Sequence, residues 1–206
     1  MNRIFSFLIT FLIPIAAFGA DSLSVIYRIR LDQDIDKSSQ RLLVTGLDKA
    51  RKAEADYVLL DLDTYGGAVD AADSMRSALL HCEIPVIAFV NMQAASAGAL
   101  ISIACDSIYM RTGSTMGAAT VVNQTGEVMP DKYQSFMRGM MRATAEANGR
   151  DPHIAESMTD TANVLSLTPT EAIKVGFCEG ICENETEVAQ KVVGDNSFIL
   201  RKWRMI

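Results

Sequence analysis

Pro85-Val-Ile-Ala-Phe-Val-Asn-Met-Gln-Ala-Ala-Ser-Ala-Gly-Ala-Leu-Ile-Ser-Ile-Ala-Cys105 joins two apolar runs through a cluster of very small residues. The first run, Pro85 to Val90, is continuous rather than alternating, which is the pattern of a strand buried on both faces of a parallel sheet. The second, Ala97 to Cys105, is apolar and helix-like. Ser96 therefore falls on a strand-to-helix turn with no bulky neighbour. Small residues let backbone approach closely there, and a helix start offers free N–H groups and the positive end of its dipole. Such a turn presents a hydroxyl to a substrate. Small residues also simply let a helix pack tightly on a sheet, so Ser96 needs the rest of the chain to give it a role.

Outward from this stretch, elements alternate. Ser22 to Leu31 alternates in part and predicts a first strand. Asp34 to Asp56 predicts a helix with Leu42, Leu43, Leu47 and Ala50 at helical spacing. Tyr57 to Leu62 is a second continuous apolar strand, broken by Gly66-Gly67, and Val69 to Cys82 an amphipathic helix with Ala72, Met75, Leu79 and Leu80 inward. Downstream come a short strand (Ser107 to Met110), a glycine-punctuated stretch (Gly113 to Gly126), a long helix (Asp131 to Asn148) and a continuation over Pro152 to Met158. Thr168-Pro-Thr-Glu171 marks a helix start and Gly176 its end. A short strand over Phe177 to Ile181 and a last helix over Thr186 to Val193 follow, and Phe198 to Ile206 reads as an edge strand or unfinished segment. Strands alternating with helices predict a right-handed βαβ architecture of the α/β class with a mostly parallel sheet.

The chain has 206 residues, 49% hydrophobic and 21% charged, with a formal net charge of −6. That suits one domain. No basic patch stands out, which argues against nucleic acid as a partner. Met1-Asn-Arg3 followed by an apolar run to Ala17 and by Ala17-Phe-Gly19 has the form of a secretory signal. Residues 1–19 are thus expected to be a signal peptide and residues 20–206 the folded domain, exported from the cytoplasm. Pro14 and the shortness of the run argue against an uncleaved anchor. Export would permit disulfides. Yet Cys82 and Cys105 lie at apolar element ends, where cysteine acts as a small hydrophobe, and a Cys178–Cys182 bridge is not favoured. Cys178-Glu-Gly-Ile-Cys182 is no zinc spacing, and with two histidines in the chain no metal is expected.

Three pieces follow strand ends: Asp61-Leu-Asp-Thr-Tyr-Gly-Gly67, the Ser96 cluster, and Met110-Arg-Thr-Gly-Ser-Thr-Met-Gly-Ala-Ala119 with Lys132 beyond it. A serine nucleophile needs a base. His81, at the polar end of a helix, and His153, in a helix-connecting segment, read as surface or capping residues. A lysine serves when burial brings its pKa toward neutrality. Most lysines sit on predicted outer helix faces, and composition alone would place Lys132 there too.

Asp61-Leu-Asp-Thr-Tyr-Gly-Gly-Ala-Val69, Ile84 to Val90, Ala94-Ala-Ser-Ala-Gly98, Met110 and Thr115-Met-Gly-Ala118 together resemble the Clp-protease/crotonase superfamily. Within it the chain looks most like the exported ClpP-class protease domain of long NfeD proteins, membrane-bound serine proteases associated with stomatins. The resemblance runs from about Leu23 to Val193. It implies a ClpP/crotonase-like βαβ superhelical fold, Ser96 as nucleophile, Lys132 as general base, and the N–H groups of Gly67 and Ala97 as oxyanion hole. It also implies an apolar, stomatin-like substrate near a membrane, a homo-oligomer, no cofactor, and a location in the periplasm or at the outer face of the cytoplasmic membrane. Two departures stand out. Tyr65 occupies the place of a usual proline, and no histidine lies near Val121, where the Ser-His-Asp form of the cytosolic Clp peptidase would have one. Long NfeD proteins continue into membrane spans and a small β-barrel, so a short or truncated member is expected. Two other readings share the fold. A crotonase-type acyl-CoA enzyme is disfavoured by the signal sequence and by the Ala-Ser-Ala-Gly setting of the serine. A non-catalytic binding or scaffold module could use the chain's 11 methionines as an adaptable surface, though Met137, Met140 and Met141 read more simply as core or subunit contacts.

Overall fold

The central strand Tyr57–Thr64 (β2) carries no alternation because both its faces are covered. Leu60 and Leu62 join the larger apolar core, while Leu59 joins a second, smaller one with Ile26, Ile87 and Phe89. This is a computed structural model, and it describes residues 23–194 and 197–203. The expected signal segment lies outside the described residues. Among those described, no helix is long and apolar enough to cross a membrane.

In chain order the elements are β1 (Ser24–Leu31), α1 (Lys37–Lys52), β2, α2 (Val69–Leu80), β3 (Val86–Ala95), α3 (Ala97–Ile103), β4 (Ser107–Met110), β5 (Thr115–Gly117), α4 (Asp131–Ala147), α5 (Pro152–Ser157), β6 (Ser166–Leu167), α6 (Pro169–Lys174), β7 (Gly180–Ile181), α7 (Glu185–Val193) and β8 (Phe198–Trp203). One sheet has the order β6-β5-β3-β2-β1-β8, with β4 and β7 branching from β3. All pairings are parallel except β5 with β6. The expected mostly parallel α/β architecture is what the chain forms.

Helix starts follow local chemistry. Asp36 accepts from the Ser38 and Ser39 N–H groups ahead of α1, and Thr168 and Glu171 form a reciprocal capping box ahead of α6. Gly176, at φ 72°, ends α6. Helices α1 to α6 lie against the larger core, and α7 with β8 covers the smaller one. Met137, Met140 and Met141 are buried in the larger core, which is the simpler of the two roles expected of them. The C-terminal segment is an edge strand: β8 pairs parallel to β1, with Trp203 beneath the Lys49 ammonium, 4.9 Å from ring centroid to Nζ.

Strand β3 runs further than its apolar stretch predicts. Its first part pairs with β4 (Ile87 to Val90) and its last part with β5 (Gln93 to Ala95). A register shift against β2 lies between the pairs Leu62–Val90 and Thr64–Ala94. Pairing with β2 and β4 up to Val90 and with β5 from Gln93 carries the strand across the stretch Asn91 to Gln93, which has no hydrophobic pattern, and so delivers Ser96 at the strand's end. Two cysteine pairs that export would allow do not form. All four thiols are free, and Cys178 and Cys182 belong to opposite apolar cores. Burial pushes the Cys178 thiol up to about 11.

Candidate active site

Ser96 caps the N-terminus of α3 with φ 53° and ψ −117°, a left-handed conformation rare for a non-glycine residue. The turn is held from three sides. Its N–H donates to the Gly117 carbonyl (2.8 Å), its carbonyl accepts from Ala99 N–H (3.0 Å), and the β3–β5 ladder ends beside it. All seven residues of α3 are buried, so the helix cannot tilt to relieve the turn. Its hydroxyl makes no hydrogen bond among the described residues, and the side chain is half-buried.

The Gly66-Gly67 turn lies against this serine. A methyl group at Gly66 would fall 2.6 Å from Ser96 Cβ and 3.1 Å from Ala97 N; a methyl at Gly67 would fall on the backbone of Ile35, whose N lies 2.8 Å away. Both residues have positive φ, 107° and 151°. Only glycine permits this approach. Ile35 bridges the turn: its N–H donates to Gly66 O (2.8 Å) and its carbonyl accepts from Ala68 N–H (2.7 Å). A Lys37–Asp70 ion pair (2.8 Å) ties the starts of α1 and α2 together beside that bridge. The lysine's hydrogen bond, with the Ala71 N–H, holds the Asp70 carboxyl below its ordinary value. Among the described residues the N–H groups of Gly67 and Ala97 have no acceptor.

Lys132 stands in the first turn of α4, exposed, with no ion pair or hydrogen bond among the described residues. It is not hydrogen-bonded to Ser96. The segment leading to it is a small hairpin closed by the Val122–Val128 bridge. Buried Gln134 fastens it, accepting from Val121 N–H and donating to the carbonyls of Val121 and Met129. Val122 and Val128 on the hairpin and Tyr133 and Phe136 on α4 are exposed apolar residues near this lysine in sequence. Among the other lysines, Lys37 pairs with Asp70, Lys52 with Asp48 and Lys191 with the Ile181 carbonyl, while Lys174 and Lys202, like Lys132, make no ion pair or side-chain hydrogen bond among the described residues. His81 is exposed at the end of α2 with Nδ1 on Ser77 O, and His153 is exposed in α5. Neither makes a contact with Ser96, as their surface reading predicts.

The structure thus brings Ser96, Ala97 and Gly67 to one place and sets Lys132 on a separate element. Three further participants escaped the sequence reading: Ile35, Thr64 and Gly117. Ile35 and Gly117 act through backbone bonds to distant segments and Thr64 through its hydroxyl, which accepts from Gly66 N–H (3.1 Å), and no composition or periodicity marks such bonds. A hydroxyl on a strained turn beside unpaired N–H groups suits attack on a carbonyl, whose developing oxyanion those groups would receive.

The sequence profile described as "NfeD1b, N-terminal domain" matches residues 25–201. The chain is 35% identical over 178 residues to "Membrane protein NfeD1b" of Bacillus subtilis (strain 168), covering 81% of this chain and 41% of that protein. It is 31% identical over 153 residues to "Membrane-bound protease PH1510" of Pyrococcus horikoshii, covering 70% of this chain and 34% of that one. The chain therefore spans well under half of either relative. Among solved structures, a mutant of the 1510-N membrane-bound stomatin-specific protease in complex with a substrate peptide superposes with a TM-score of 0.81 at 24% identity, covering 90% of this chain and 94% of that chain. ClpP1 from Listeria monocytogenes superposes with a TM-score of 0.63 at 19% identity, over 77% of this chain and 92% of the other. Both likenesses establish a ClpP-like fold.

Proposed function

This chain belongs to the family of NfeD1b N-terminal domains, and from that premise we propose that it is a serine endopeptidase working through a Ser96–Lys132 dyad. The observation that carries the reading is the Ser96 turn: a hydroxyl at positive φ, packed against Gly66, beside free N–H groups at Gly67 and Ala97. Ser96 Oγ attacks the scissile carbonyl carbon while neutral Lys132 takes the hydroxyl proton. The carbonyl oxygen becomes an oxyanion held by the two N–H groups. Collapse breaks the C–N bond, and the lysine's proton goes to the leaving amine. Water, deprotonated by the same lysine, then attacks the ester carbon; the bond to Ser96 Oγ breaks, and the lysine's proton passes to that oxygen, restoring the hydroxyl and the neutral lysine.

Lys132 must be neutral to act, and an ammonium in water is not. The exposed apolar residues Val122, Val128, Tyr133 and Phe136 on the adjoining hairpin and helix supply the means. An apolar substrate segment, or a second copy of the chain, covering them desolvates the lysine and brings it to the serine. This supports a homo-oligomer and a substrate of apolar, stomatin-like character, as the 1510-N relative is described. A site outside the cytoplasm at the membrane face belongs to this reading, supported by the apolar run after Met1-Asn-Arg3 and by the relatives' description as membrane proteins. A second reading, a non-catalytic binding module, is favoured by one observation: the absence of any Ser96–Lys132 hydrogen bond in the free chain. Apo catalytic sites are often this loose.

Cleavage of a panel of apolar peptides separates the two. The wild type cleaves, and Ser96→Ala and Lys132→Ala, each folded, do not. An active Lys132→Ala variant removes the lysine's role as base. A folded wild type that cuts nothing favours the binding module.

A further inference from the structure

Three consecutive N–H groups run through the glycine turn, and two of them are engaged. Gly66 N–H donates to the Thr64 hydroxyl (3.1 Å), and Ala68 N–H donates to the Ile35 carbonyl (2.7 Å). Gly67 N–H alone is free. Its direction is also set. The Gly66 carbonyl accepts from Ile35 N–H, and every described peptide bond is trans, so the Gly67 N–H points away from the Ile35 segment.

Ile35 restrains the turn from its far side only. Gly66 has no Cβ to limit its rotation, so the near side needs its own anchor. Thr64 provides it, buried at 2% exposure as the last residue of β2. The same side chain reaches the other wall of the site. A methyl group placed at Gly98, in the first turn of α3, would fall 2.8 Å from Thr64 Cγ2. The hydroxyl of Thr64 therefore holds the peptide immediately before that of the Gly67 donor, while its methyl sits against the helix that carries the other donor.

We infer that Thr64 is a positioning residue of the oxyanion hole, setting the Gly67 N–H relative to that of Ala97. The inference rests on the peptidase reading above. The Thr64 hydroxyl touches no substrate; it acts through Gly66.

Two substitutions in the full chain separate its two halves. Thr64→Val keeps the shape and the methyl but removes the acceptor. Thr64→Ser keeps the acceptor and removes the methyl. With a fluorogenic apolar peptide, Thr64→Val lowers kcat by about tenfold or more with KM within about twofold, because the misplaced donor serves the transition state and not the bound substrate. Thr64→Ser restores most of kcat. In 15N-labelled protein, Gly66 amide exchange accelerates in Thr64→Val and not in Thr64→Ser, a readout independent of turnover. Unchanged kcat or unchanged Gly66 exchange in a folded Thr64→Val variant overturns the inference, as does equal loss of kcat in both variants. A wild type with no serine-dependent cleavage overturns the peptidase reading, and this inference falls with it.

Discussion

Ser96 is held where a side chain is rarely tolerated, and that has a measurable consequence. A non-glycine residue in such a conformation costs about 1–3 kcal/mol, and it persists because the Gly117 carbonyl and the buried α3 over-determine the turn. Replacing Ser96 by glycine removes the strain and adds about 0.5–1 kcal/mol of unfolded-state entropy loss. Ser96→Ala keeps the Cβ and the strain. We therefore expect urea denaturation to show Ser96→Gly more stable than Ser96→Ala by about 1 kcal/mol, with neither variant cleaving peptide. A Ser96→Gly variant less stable than Ser96→Ala by about 0.5–1 kcal/mol would mean that the turn is unstrained. At this scale the sequence was informative where function needs small residues. Ser96 and the Gly66-Gly67 turn stood out as tiny residues after apolar runs, but it was the family resemblance that gave Ser96, Gly67 and Ala97 their expected roles. Thr64 and Ile35 did not stand out, since a hydroxyl-to-amide bond and a lone bridge between segments leave no periodicity.

Among elements, the hairpin ahead of α4, which leads to the proposed base Lys132, pairs with no strand of the described sheet. Gln134 makes three hydrogen bonds to its backbone, and Met137 and Met141 fix the helix behind it. Gln134→Ala removes all three and leaves the hairpin to its own turn contacts at Asn123 and Glu127. Each lost bond is worth about 0.5–1.5 kcal/mol. Hydrogen exchange over residues 121–129 should accelerate while that of β2 and β3 is unchanged, and cleavage should fall because Lys132 follows directly. Unchanged exchange in the hairpin would show that Gln134 does not hold it. The elements themselves were largely legible, since buried parallel strands read as unbroken apolar runs and caps such as Thr168 have a local signature. The far half of β3 was not. Its pairing with β2 and β5 replaces the hydrophobic pattern, and without that extension Ser96 would not reach the glycine turn.

Across the whole molecule, the two faces of the sheet are unequal, and a buried charge cluster lies on the face of the smaller core. Arg28 on β1 pairs with Asp61 on β2 (2.6 Å) and with Glu185 at the start of α7 (2.5 Å), so α7 is tied to the central strands where the smaller core ends. Asn91 donates to Asp61 and accepts from Arg111, extending the cluster toward β4. Burial raises the Glu185 carboxyl above its ordinary value; Arg28 pulls it down and Asp61 pushes it up. A carboxyl raised in the folded state binds its proton more tightly there than in the unfolded chain. Its contribution to stability is complete below the unfolded pKa of about 4.3 and is lost as pH rises through the folded value. Surface carboxyls such as Asp48 and Asp70, held low by lysines and arginines, act in the opposite sense. Both proteins in a wild-type and Glu185→Gln comparison share them, so they cancel in the difference. Glutamine mimics the protonated acid. The stability of Glu185→Gln relative to wild type should therefore increase as pH rises above about 4.3 and level off once Glu185 is ionised in the folded chain. Urea denaturation at intervals from pH 4 to 8 measures that difference. A difference that shrinks with rising pH would mean that the ion pair with Arg28, and not burial, governs Glu185, and that α7 is docked by charge and not in spite of it.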